Sequence, residues 1–211
     1  MGKLLATIIV FLGGFAIMVL EIIGARFLAV FFGSSFYVWI SQIGVILIAL
    51  SVGYYFGGWF ADHQKRIRLL AFLIMFAGIY TTFVPKFSPK IMDAIVMRHP
   101  LGEDIPAVWQ KLDPAIGSAI FFFLPCFVLA MLSPFMIRLA SKSLSHVGRI
   151  SGLVYAFSTV GSIAGVFISG YILIDRMKIS HIIISMGVLT ILLGILCAIS
   201  DRWFHFEARD A

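Results

Sequence analysis

Six long apolar runs separated by short polar segments set the pattern of this chain, at about residues 4–32, 36–60, 69–84, 115–137, 150–174 and 179–199. A helix that crosses a bilayer needs about 20 apolar residues. Five runs reach that length, and the third, at about 16, borrows flanking residues between Arg68 and Pro85. No ten-residue stretches of alternating polarity occur, so helical spans are predicted and not a β-barrel. The pattern predicts an all-α integral membrane protein, one domain over residues 1–211 with six transmembrane helices. The 85–114 segment is read as an outer loop and surface cap. Within it, 89–97 predicts an amphipathic helix presenting Ile91, Ile95 and Val96, with Trp109 as an interfacial anchor. The first run follows Met-Gly-Lys without a small-residue cleavage site, which reads as an uncleaved first span.

Polar positions inside the apolar runs are the candidate chemistry. Glu21 falls within the first run, about 5 Å beyond its midpoint at 1.5 Å per residue, and Arg26 about 12 Å beyond it. An ionisable group at that depth costs several kcal/mol unless paired or wetted, which marks a functional-site hypothesis. Five residues is an awkward spacing for a pair on one helix, because i and i+5 stand about 140° apart. Either Gly24 lets the helix deform or each charge finds its partner elsewhere, with Gln42 and Tyr155 as candidates. The alternative is a structural clamp that locks helices together.

Small residues predict how the spans pack. Gly53-x-x-x-Gly57 in the second run and Gly161-x-x-x-Gly165 in the fifth put paired backbone-exposed positions on one face and favour close helix crossings. Pro125 and Pro134 permit kinks in the fourth. Tyr155, Ser158, Thr159 and Ser162 add polar groups to the fifth.

Composition and charge then narrow the class. Only 12% of residues are charged, 61% are hydrophobic and the mean hydropathy is +1.06, against about a quarter charged in soluble domains. The net charge of +6 is scattered between apolar runs and forms no basic patch, so no nucleic-acid partner is expected. It reads as topology: Lys3, Lys65, Arg66, Arg68, Arg138, Lys142, Arg149, Arg202 and Arg209 on one side outnumber Lys86, Lys90, Arg98, Lys111, Arg176 and Lys178 on the other. The excess places both termini in the cytoplasm. Cys126 and Cys197 lie inside apolar runs, and the five histidines are dispersed. No metal site, cofactor, catalytic residue or enzymatic activity is expected from them.

Four motifs carry a family resemblance. Glu21-Ile-Ile-Gly-Ala-Arg26-Phe-Leu-Ala-Val-Phe-Phe-Gly33-Ser-Ser-Phe-Tyr37 resembles the opening of the membrane half of fused major-facilitator/spermidine-synthase proteins. Leu124-Pro125 through Pro134 resembles their fourth-helix pattern. Gly148-Arg149-Ile-Ser-Gly152-Leu-Val-Tyr155-Ala-Phe-Ser158-Thr159-Val-Gly161 resembles their fifth-helix signature, with Ser158 where the family carries Asn. Gly57-Gly58-Trp-Phe-Ala-Asp62-His-Gln-Lys65-Arg66 resembles the cytoplasmic loop between the second and third helices of facilitator carriers. The resemblance implies half of a major-facilitator-like bundle in a bacterial inner membrane. With the mid-span charges and their possible partners, the substrate- or proton-binding candidates are Glu21, Arg26, Gln42, Tyr155 and Ser158, and the resemblance to facilitator carriers makes Asp62, Lys65 and Arg66 the gating loop. The family's aminopropyltransferase domain is not within these residues, so none of its chemistry carries over.

Two readings follow. One is a homodimeric carrier of a cationic small molecule such as a polyamine, with the glycine faces of the second and fifth spans in contact. The other is a non-transporting subunit that anchors a soluble aminopropyltransferase-like enzyme through the basic loops at 63–68 and 138–149.

Overall fold

The computed structural model describes residues 2–64, 67–99, 105–141 and 147–207, with side chains from 4 to 201 within them. Lys65, Arg66, Glu103, Asp104, Lys142, His146 and Arg209 lie outside the described residues. Among those described every element is helical: α1 (Gly2–Phe32), α2 (Phe36–His63), α3 (Ile67–Val96), α4 (Ala107–Ser118), α5 (Leu124–Ala130), α6 (Leu132–Ala140), α7 (Val147–Ile168), α8 (Ile174–Arg176) and α9 (Ile179–Glu207). Helices α4 to α6 form one span, as do α7 and α8, which gives six helices long and apolar enough to cross a membrane.

The first connection is short because Gly33 takes a left-handed conformation, φ 78°, where a side chain would be strained. Two residues later Ser35 starts α2 by accepting the Val38 amide on its hydroxyl.

The 85–114 segment is mostly helix and not loop. α3 continues through Pro85 and Pro89 to Val96, although each proline removes a backbone hydrogen bond. The reason is the buried stripe. Ile74, Ala77, Thr81, Val84, Ser88, Met92 and Ile95 recur every three or four residues and are all buried, so packing outweighs the missing bonds. The expected amphipathic stretch lies in this extension. Ile95 is buried and Ile91 half-buried, but Val96 is exposed and Met92 takes the inward position.

Three glycine-mediated pairings build the bundle. The first span meets the fifth, where a Cβ on Gly161 would lie 2.0 Å from the Phe11 carbonyl and one on Gly165 2.6 Å from that of Phe15. The second meets the fourth, with Gly53 and Gly57 against the Phe127 carbonyl and the Met131 backbone. The third meets the sixth through Gly78, Gly187 and Gly194. These pairings are unchanged when the chain halves are exchanged, 1 for 4, 2 for 5 and 3 for 6. Burial follows the same exchange. The most apolar stretch is 61% buried in spans 1 and 4, 44% in spans 3 and 6, but only 33% and 17% in spans 2 and 5. Because spans 1 and 4 run in opposite directions, this is the contact pattern of an inverted three-plus-three repeat. Spans 1 and 4 form the centre, and spans 2 and 5 leave most of their surface uncovered.

Candidate functional site

Glu21 sits in the middle of α1, half-buried, near the fully buried Cys126 of the fourth span. α1 runs unbroken through Gly24, so the helix does not deform to join Glu21 with Arg26. Among the described residues neither side chain has a hydrogen-bond or ion-pair partner. The clamp expected as an alternative is therefore not formed between them.

The 140° separation sends the two charges to different places. Arg26 is exposed and lines a groove of about 440 Å³ with Ser34, Trp39 and Ile179, towards the start of the sixth span. Glu21 stays at the contact of the first and fourth spans.

Gln42, expected as a partner for one of these charges, does something else. It is fully buried; its amide nitrogen donates to the Leu20 carbonyl at 3.4 Å, and its amide oxygen accepts the Ser118 hydroxyl at 2.7 Å. Gly24 makes room for it, since a Cβ there would fall 2.1 Å from the Gln42 nitrogen. Gln42 thus bridges the first, second and fourth spans right beside Glu21 without reaching the carboxylate. The cause is local: a buried amide takes the nearest backbone carbonyl because an unpaired one is costly.

Tyr155 is exposed on α7, within electrostatic range of Tyr54 of α2, and has no hydrogen bond to Glu21 or Arg26 among the described residues. Ser158 is half-buried on the face that meets α1, its carbonyl against Gly14. Four residues on, the Ser162 hydroxyl donates to the Gly14 carbonyl at 3.3 Å. The fifth span's hydroxyls therefore serve, at least in Ser162, the contact with α1.

At the N-terminal end of the bundle, Asp62 accepts the Arg138 Nε at 2.9 Å. This exposed ion pair ties the end of α2 to α6. At the opposite end the Ser41 hydroxyl donates to the Lys111 carbonyl at 3.2 Å, and buried Asp113 accepts both Arg98 and His99.

Among the polar contacts the sequence reading missed, one had a signal in the sequence. The Tyr80 hydroxyl of the third span donates to the Ile120 carbonyl of the fourth. That carbonyl lies in a π-helical turn, Ala119–Phe123, where hydrogen bonds step from i−4 to i−5. The amide facing Ile120 would then be that of Pro125, which has no N–H. Pro125 was the available signal, since a proline inside a span leaves a carbonyl to be satisfied from elsewhere.

No group of histidine, cysteine and carboxylate side chains suited to a metal ion occurs among the described residues. Comparison with family models, curated proteins and solved structures gave no match to this chain.

Proposed function

We propose that this chain is one half of a membrane carrier, working as a homodimer, with Glu21 as the binding group for a cationic small molecule or a proton. The observation that carries the reading is Glu21 itself, a mid-span carboxylate that is part exposed and has no partner among the described residues. A purely structural carboxylate at that depth would be expected to carry its counter-charge. The three-plus-three arrangement supports the same reading, because inverted repeats with binding near the bilayer midplane are a recurrent transporter plan. The uncovered faces of the second and fifth spans supply surface for a second copy.

The resemblance to facilitator/spermidine-synthase membrane halves suggests the substrate class. A polyamine carries several ammonium groups, of which one would sit on Glu21. Gln42 holds the neighbouring backbone and so positions the carboxylate.

Uptake of labelled spermidine into proteoliposomes tests this. Glu21→Gln should lower the initial rate at least tenfold while thermal unfolding and oligomeric mass stay as in the unmodified chain. Full uptake by the variant would overturn the proposal.

A further inference from the structure

Two concave sites lie at the end of the bundle opposite the N-terminus. One, of about 510 Å³ under α4, is lined by Asp113, which already accepts Arg98 and His99. Its fixed charge is met within the chain. The other is the groove of about 440 Å³ beside Arg26, whose charge is not.

Among the described residues lining this groove, only Arg26 carries a charge. It is exposed and has no hydrogen-bond or ion-pair partner among the described residues. Glu21, on the same helix, does not line the groove. A guanidinium stays protonated, so it cannot shed its charge as a buried carboxylate or amine can. Ser34 and Trp39 line the same groove and are exposed. Their hydroxyl and indole N–H donate to no group among the described residues. The turn leading to Ile179 holds exposed Arg176 and Lys178 against one carboxylate, Asp175, which adds positive charge near the rim. Guanidinium, indole and hydroxyl are donors without an acceptor, a set that suits an anion.

The depth of the groove points to the kind of anion. Arg26 lies six residues before the end of α1 at Phe32, about 9 Å at 1.5 Å per residue. Spans end near headgroup level, so Arg26 stands in the upper hydrocarbon, where an unmatched cation is costly. A side chain as long as arginine's covers most of the distance to the surface. Ser34, just past α1, and Ile179, the first residue of α9, stand at the rim. Below them the small side chains of Ala25 and Ala29 leave the groove open, and Val30, 71% exposed, flanks it with apolar surface. Donors above and apolar surface below match a molecule with an anionic head and an alkyl tail.

We propose that this groove binds one anionic amphiphile per chain. Its phosphate-type head accepts from the Arg26 guanidinium, with Ser34 and Trp39 donating to its remaining oxygens, and its alkyl portion descends along Val30. The same head chemistry comes from a bilayer phospholipid or a free alkyl phosphate. The site is separate from Glu21 and does not rest on the carrier reading.

The test is native mass spectrometry of the full chain in detergent, titrated separately with phosphatidylglycerol, phosphatidylcholine of the same acyl chains, and dodecyl phosphate. One phosphatidylglycerol or dodecyl phosphate adduct should form at a concentration at least tenfold below that needed for phosphatidylcholine. Binding of phosphatidylglycerol without dodecyl phosphate identifies a membrane lipid as the source, and binding of dodecyl phosphate a free amphiphile. Arg26→Gln should abolish the preference for the anionic lipid. Trp39→Phe keeps the ring and removes the donor, and should raise the half-saturation concentration about threefold; it reads the same site if the Arg26 variant does not fold. Lys86→Gln, at an exposed position on α3 that does not line the groove, should leave binding unchanged. Equal binding of the anionic and zwitterionic lipids, an intact preference in Arg26→Gln, or unchanged binding in Trp39→Phe would overturn the proposal.

Discussion

Tyr80 shows what one hydroxyl contributes when a neighbouring span lacks a donor. Pro125 takes one N–H from the fourth span, the π-turn moves the vacancy to Ile120, and Tyr80 fills it from the third. Leaving that carbonyl unpaired costs about 1–3 kcal/mol. Tyr80→Phe should therefore lower the thermal unfolding midpoint in detergent by a few degrees. In a Pro125→Ala background, where the amide returns, the same change should cost much less. Equal costs in both backgrounds would remove this explanation of the turn. The candidate carboxylate was legible in the sequence, because charge in an apolar run stands out. The role of Gln42 was not. Its partners, Leu20 and Ser118, lie 22 and 76 residues away, and only packing decides which carbonyl a buried amide meets.

At the scale of elements, glycine spacing gave the contact faces but not their partners. Gly53, Gly57, Gly161 and Gly165 meet the fourth and first spans within the same chain, so the glycine stripes are not the free surfaces that the dimer reading would use. A Cβ on Gly161 would press on the Phe11 backbone, which cannot rotate away as a side chain can. Gly161→Ala should therefore destabilise by about 3 kcal/mol as the first and fifth spans separate. Gly152 lies on the same helix with open space around its Cα. Gly152→Ala should change stability by about 1 kcal/mol at most, in the favourable direction, because alanine is the better helix former. Unfolding midpoints for the two variants side by side check this, and equal losses would contradict the span pairing. The continuation of α3 past two prolines shows a related limit. Proline signals a stop locally, but a buried stripe on one face can carry the helix onward.

For the whole molecule, the uncovered faces of spans 2 and 5 matter most. Tyr54 and Tyr155 lie within electrostatic range of each other. Counting back along α2 and forward along α7 by the same 1.5 Å rise brings Leu47 and Ile163 to a common level. Both are exposed, at 57% and 50%. If two copies meet through these faces, a chain carrying Leu47→Cys co-expressed with one carrying Ile163→Cys should form a disulfide-linked pair of twice the chain mass. Cys126 and Cys197 are buried and add little background. No linked pair in native membranes would rule out this dimer arrangement.

What the sequence determined by itself was the class and its anomaly: six apolar runs that require lipid, helices that satisfy their own backbone there, and one carboxylate within them. Those features are local, a matter of run length and residue type, and need no knowledge of neighbours. The tertiary structure alone decided that Glu21 and Arg26 part company, that Gln42 binds backbone, that the glycine faces close within the chain, and that α4 roofs a cavity lined by Asp113. Each of these depends on which helices lie side by side. In a bundle whose spans are similarly apolar, hydropathy does not distinguish one neighbour from another. The choice falls to small-residue fit and to a few buried hydrogen bonds.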